Sequence, residues 1–257
     1  MKKEIYKYAL CLHFDDKIEK LSNLAITEEW GYHYTNSPYP MPILSNYVHH
    51  TFNKIFNDGE VLVKNDKCVF NTGLVTEHFE DIYGAFRENE RKGEENQSDW
   101  FFQGFFKKSH PLLRAFSSLP EPTQYIKKPA ELIYDTSKKL RVDFDHIIDD
   151  NILRFPVSIQ GLPKIQIRNI LEGAISLAKS RVVRNYKTAI PQYFNDEIQL
   201  LLPIYMVNYD KADLALAIEI VSEGGDTFYR AATCLTLDMA INNARLIAKP
   251  DDEWLKA

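Results

Sequence analysis

Three apolar runs between residues 199 and 235 constrain the fold of this chain more than any other feature. QLLLPIYMV (199–207), ADLALAIEIV (212–221) and TFYRAATCL (227–235) are separated only by NYDK and SEGGD. Runs of this composition, bounded by Asn, Asp and Gly, read as strands, and such short connections join antiparallel neighbours. A three-strand meander is therefore expected in the C-terminal half. A smaller version stands near the N-terminus, where VLVK and KCVF flank Asn65-Asp66. Both turn residues tolerate positive φ, which suits a two-residue hairpin.

Helical spacing appears around these strands. Residues 17–30 carry Leu21, Leu24 and Ala25 on one face, and 43–56 carry Leu44, Tyr47, Val48, Thr51, Phe52 and Ile55. Three prolines make GYHYTNSPYPMP between them a loop. After Asn71-Thr72-Gly73-Leu74 a third helix is expected with Phe79, Ile82, Tyr83 and Phe86 inward. The polar segment 88–99 reads as a mobile surface loop, and WFFQGFFKK (100–108) as an aromatic strand. Four prolines make 110–130 extended, and 131–157 reads as strand pieces around an acidic helical stretch. The longest helix is expected over 165–186 and the last over 236–248. The fold expected is α+β: one domain over 1–257 with a mixed or antiparallel sheet, the hairpin, the meander and packing helices. A division into two lobes would fall near residue 108.

Composition limits the function classes. Formal charge is 31 − 36 = −5, which argues against wrapping of duplex nucleic acid but leaves room for a local basic patch. The three cysteines, Cys11, Cys68 and Cys234, show no paired spacing, so reduced thiols and a cytoplasmic location are expected. No apolar run reaches the length of a membrane span, and Lys7, His13 and Asp15 interrupt the N-terminus where a signal peptide would be apolar. The 15 Phe and 14 Tyr, against three Trp, are the one compositional excess.

Two segments carry candidate chemistry. In the last helix apolar residues cover most of the circumference, while Asp238, Asn242 and Arg245 form a narrow stripe at i, i+4, i+7. A helix apolar almost all round is buried, and a buried arginine needs a carboxylate or a phosphate. Asn243, among apolar neighbours, also needs partners. The stripe is either an internal Asp–Arg network or a phosphate clamp. The second segment, 161–190, holds six basic residues (Lys164, Arg168, Lys179, Arg181, Arg184, Lys187) against Glu172, so 6 − 1 = +5. Arg181 lies at the edge of the expected buried face, about 50° from its centre, with Arg184 and Lys187 farther out. Tyr186 and Tyr193 follow. Cations interleaved with rings suit phosphates and stacked bases; a salt-bridged surface helix is the plain alternative.

Other constellations are weaker. Trp100, Phe101, Phe102, Phe105 and Phe106 place rings on both faces of a strand, for core packing on one and base stacking on the other. The Asp143, Asp145, Asp149, Asp150 and His146 group has oxygen ligands for Mg²⁺ but no loop glycine. Adjacent His49 and His50 are expected at the surface, and Glu28-Glu29 beside Trp30 as a solvated pair at a helix end. Asn71-Thr72-Gly73 would present backbone N–H groups to an anion, or Thr72 or Thr76 would cap the next helix. Phosphate-loop, nucleophile-elbow and zinc signatures are missing.

Several stretches in order resemble one family. They are Leu24-Ala25-x-x-Glu28-x-Trp30, Leu44-x-Asn46-Tyr47-x-x-x-Thr51-Phe52, Phe70-Asn71-Thr72-Gly73-Leu74, Leu201-Leu202-Pro203 and Ala212-Asp213-Leu214-Ala215-Leu216. The last is Leu235-Thr236-Leu237-Asp238-Met239-Ala240-x-x-Asn243-Ala244-Arg245-Leu246. Together they are similar to the domain of unknown function 3825 family, from about residue 20 to Leu255. Where that family often has Tyr before the Asn pair, this chain has Ile241. The resemblance brings no assigned activity; through an association with predicted RNA-binding helix-turn-helix modules it implies an RNA- or nucleotide-linked role.

The expected function is thus RNA or nucleotide binding. Arg181, Arg184, Lys187 and Arg245 would contact phosphate, Tyr186, Tyr193 and Asn71 would border the site, and Asp238 and Asn242 would orient Arg245. The alternatives are a metal-dependent enzyme acting on a nucleotide or RNA phosphate, with Asp238 or Asp213 as ligand or base, and an interaction module without a ligand.

Overall fold

The computed structural model describes residues 4–249, 251–252 and 255–256; the ends of the expected 1–257 domain lie outside them. The chain divides into two compact units, Met1–Gln124 and Tyr125–Ala257. Among the described residues the architecture is α+β, with seven α-helices and two mixed five-stranded sheets. No described helix is long and apolar enough to cross a membrane.

The first unit contains α1 (Glu4–Tyr8), β1 (Ala9–Leu10), α2 (Phe14–Leu24), α3 (Pro42–Asn57), β2 (Leu62–Lys64), β3 (Lys67–Val75), β4 (Asp81–Glu88) and β5 (Trp100–Lys107). Its sheet runs β1-β5-β4-β3-β2, with β1 parallel to β5 and the remaining pairs antiparallel. The hairpin forms as expected, Lys64 facing Lys67 and Asn65 at φ 54. Helix α3 opens on Pro42, whose missing N–H costs nothing in a first turn.

The third helix expected after Gly73 is instead strand β4. Ile82, Tyr83, Ala85 and Phe86 are all buried. Tyr83 and Ala85 pack with Leu113 and Phe116, while Phe86 meets Phe52 of α3 on the other face. Two-sided burial removes the alternation that marks a half-exposed strand, and a short apolar run then matches either period. Phe79, expected inward, is 79% exposed at a turn with φ 57. Leu113 and Phe116 pack on this sheet, and the unit runs to residue 124.

Two smaller corrections follow from pairing. Helix α2 stops at Leu24, well short of residue 30, because Ala25 turns to extended backbone and the Ile26 N–H donates to the Val75 carbonyl. His49, expected at the surface, is buried and stacks on Phe14 with ring centroids 5.0 Å apart.

The second unit contains β6 (Leu140–Val142), α4 (Phe144–Asn151), α5 (Val157–Gln160), α6 (Lys164–Arg184), β7 (Ile190–Phe194), β8 (Glu197–Ile204), β9 (Leu214–Glu223), β10 (Asp226–Leu235) and α7 (Leu237–Ala244). Its sheet runs β6-β10-β9-β8-β7, and β8, β9 and β10 form the expected meander. Ile167, Leu171, Ala174, Ala178 and Val182 of α6 join Leu200, Leu202, Leu214 and Leu216 in an aliphatic core. A bulge between Ala231 and Thr233 brings β10 to Asn151. The buried Asn151 Oδ1 accepts from Arg154 Nη1 (2.7 Å), Thr233 Oγ1 (2.8 Å) and the Cys234 N–H (3.0 Å). Burial raises the Cys234 thiol to about 12.

Candidate functional site

The C-terminal end of α6 sorts its basic residues by distance from the apolar stripe. Arg181, at the edge, is half-buried and engaged within its own unit. Its guanidinium lies 4.1 Å from the Tyr205 ring centroid, donates to the Tyr205 hydroxyl at 3.0 Å and donates to the Tyr209 carbonyl at 2.6 Å. Arg184, farther round, is exposed and donates from Nη1 to the Ser180 carbonyl at 2.7 Å. Asn185 then leaves the helix, and its Oδ1 accepts the Lys187 N–H at 3.1 Å. That Asx turn forms a short 3-10 segment, Tyr186–Thr188, and directs Tyr186 (60% exposed) and Lys187 into solvent.

Strand β7 follows at the sheet edge, and beside it a groove of about 370 Å³ opens. Leu132, Ile133, Ala189, Ile190 and Pro191 supply apolar wall, and Ala244, Ile247 and Ala248 continue it from the end of α7. Tyr186, Lys187 and Lys249 are the remaining lining residues, so the described lining contains no carboxylate. Ile133 and Lys249 were not among the candidates from sequence. Lys249 has a signal only in hindsight, as a cation just past an apolar helix; Ile133 reaches the groove through the short 3-10 segment Pro129–Leu132.

Helix α7 is shorter than the 236–248 expected. Thr236 Oγ1 caps it by accepting the Met239 N–H at 3.4 Å. Beyond Ala244 the N–H groups of Ile247 and Ala248 both donate to the Ala244 carbonyl, which ends the regular turn. Asp238 and Asn242 are buried, and Arg245 is half-buried at the helix end. Asn243 Nδ2 donates to Gln192 Oε1 (3.0 Å), and Gln192 Nε2 donates to Gln199 Oε1 (2.8 Å), tying the helix to β7 and β8. This amide chain supplies the partner that Asn243 requires.

Other candidates from sequence have internal roles. Tyr193 is buried, edge-on to Tyr125, and its hydroxyl donates to Asp196 Oδ1 at 3.1 Å. Asp213 Oδ2 accepts the N–H groups of Met206 (2.7 Å) and Val207 (3.0 Å), closing the connection between β8 and β9. Asp143 caps α4, His146 pairs with Asp150 at 3.0 Å, and Asp149 pairs with Lys164 at 2.5 Å. Among the described residues no three His, Cys, Asp or Glu side chains converge in a metal-ligating group.

Asn71 belongs to the first unit, whereas the other candidate binding residues belong to the second. It lies inside β3 rather than before a helix. Its Oδ1 accepts the Gly73 N–H at 2.9 Å, its Nδ2 donates to the Pro120 carbonyl at 3.1 Å, and Thr72 Oγ1 accepts the Leu74 N–H at 3.2 Å. The Gly73 N–H, one of those expected to meet an anion, is therefore already bonded. Thr76 does not cap a helix either; its Oγ1 accepts the Glu80 N–H at 3.2 Å across the β3–β4 turn. Glu28 lies beyond the end of α2, where it and Trp30 line a cavity of about 520 Å³ with Thr76, His78, Glu80 and Lys107.

No curated protein and no solved structure matched in comparison with this chain. The family model described as Domain of unknown function (DUF3825) matches residues 21–254. That match spans both units and nearly the whole sequence, so the chain belongs to the DUF3825 family.

Proposed function

We propose that the second unit binds single-stranded RNA or a nucleotide along the rim formed by Arg184, Tyr186 and Lys187. One observation carries the reading: Tyr186 is exposed, exposed Arg184 and Lys187 flank it in sequence, and Tyr186 and Lys187 line a groove with no carboxylate in its described lining. Phosphates meet the cations and a base stacks on the ring, an interaction tolerant of sequence. Arg181 positions this rim by holding the end of α6 to Tyr205 and Tyr209.

Fluorescence anisotropy with labelled single-stranded and duplex RNA, across salt concentrations, tests the reading. Single strands bind and weaken as salt rises, and the Arg184→Ala, Lys187→Ala pair lowers both affinity and the salt slope. Tyr186→Ala weakens binding without changing the slope, whereas Arg181→Ala lowers thermal stability. Salt-independent binding, or full affinity in the Arg184→Ala, Lys187→Ala protein, would overturn the proposal.

A further inference from the structure

The groove beneath the rim has a composition that selects among nucleotides. Its volume, about 370 Å³, lies near the lower end of the ~300–1,000 Å³ typical of small-molecule sites. That is room for one nucleotide and not for an oligomer. Ile133, Ile190, Pro191 and Ile247 offer no side-chain donor or acceptor, so these walls meet a base by apolar contact. Against these walls two quantities discriminate: the apolar area a base buries, and the polar groups it must strip of water. Purines bury more area than pyrimidines. Adenine carries fewer strongly hydrated groups than guanine, which adds a carbonyl and a ring N–H. Lys187 and Lys249 are the charged residues of the lining, so the charge complementary to this site is negative.

We infer that this groove takes a single adenine nucleotide, free or at the end of a strand, with the base against the aliphatic walls and the phosphate on Lys187 and Lys249. The inference rests on the nucleotide reading of the rim and narrows it to one base class. It differs in the residues responsible: the groove depends on Ile133, Ala248 and Lys249, the rim on Arg184.

Isothermal titration of the full chain with AMP, GMP, UMP, adenosine and octanoate separates the possibilities. AMP binds tightest, and adenosine is weaker on the order of tenfold because it lacks the charged group. Lys249→Ala weakens AMP and leaves adenosine unchanged. Ala248 and Ile133 are exposed, so changes there spare the core. Ala248→Phe fills the groove and abolishes AMP binding. Ile133→Glu, which sets a carboxylate against the phosphate, also abolishes it, while Ile133→Gln retains it. Circular dichroism of each variant establishes that the fold is kept.

Equal affinity for AMP, GMP and UMP would overturn the inference, as would undiminished AMP binding in Ala248→Phe. Tighter binding of octanoate than of AMP would also overturn it, assigning the groove to an aliphatic anion. If RNA binds with its Arg184 dependence intact and AMP does not bind, the groove inference fails and the rim reading stands. If AMP binds with the expected groove dependence and RNA is indifferent to Arg184, the rim reading fails instead.

Discussion

The two units have similar layouts, yet aromatic residues fill the core of one far more than that of the other. Each has a five-stranded sheet with a short parallel strand at one edge. In the first unit rings meet rings: Phe52–Phe70 at 5.1 Å, Phe52–Phe86 at 5.7 Å and Phe86–Phe102 at 5.1 Å. Beneath them Gly84 is obligatory, since a Cβ there would lie 2.1 Å from the Phe70 ring. In the second unit the core is mostly aliphatic; beside the ring pairs Tyr125–Tyr193 and Tyr134–Tyr229, rings there meet cations, as in Arg141 over Phe228 at 3.6 Å and Arg181 over Tyr205 at 4.1 Å. Ring–ring contacts explain themselves as packing. Tyr186, exposed and flanked in sequence by exposed Arg184 and Lys187, is not explained by packing.

The largest effect that would break this comparison lies in the first unit. Phe86→Ala should cost about 3–5 kcal/mol of stability by urea unfolding, whereas Phe79→Ala, at the exposed turn, should cost much less. Similar costs at both positions would mean that the aromatic cluster is not the core of that unit. In the second unit a polar network takes the corresponding part. Asn151→Ala removes the acceptor shared by Arg154, Thr233 and Cys234 and should cost about 1–3 kcal/mol, the range for stranding buried donors. A cost near zero would return stability there to the aliphatic contacts alone.

The smallest effect is electrostatic. The Lys138 ammonium, followed by the Ser137 hydroxyl and N–H, bonds the Asp135 carboxylate and holds it at about 2, below its ordinary value. A depressed carboxylate pKa stabilises the folded state above the unfolded value, and that contribution disappears as pH falls through about 2. Carbonyl NMR should place the Asp135 titration near this value, and Lys138→Ala should move it upward. A titration at the ordinary carboxylate value in the unsubstituted chain would show that the pairing is not maintained.

Local signals made part of this fold legible. The meander was written in three apolar runs and two short turns, helix α6 in the Ile167–Leu171–Ala174–Ala178–Val182 stripe, and the hairpin in Asn65-Asp66. Strand β4 was not legible, because Leu113 and Phe116 bury one of its faces and α3 the other, erasing the alternation. Nor was the end of α2, which depends on a backbone bond from Ile26 to Val75 across the unit. At the candidate site, Tyr186 and Tyr193 looked alike beside a basic segment. An Asx turn exposes one, while strand pairing and Asp196 bury the other.

By itself the sequence determined the element types wherever one face was apolar and the other polar, since periodicity records a difference between faces. It also located the excess of positive charge at the end of α6 and the need of Asn243 for a partner. Only the tertiary structure decided which partners each cation meets. Arg181 and Arg184 are three residues apart on one helix, but Tyr205 and Tyr209, brought by a distant loop, engage the first. Such partners lie far along the chain, and a side chain's own sequence context does not contain them.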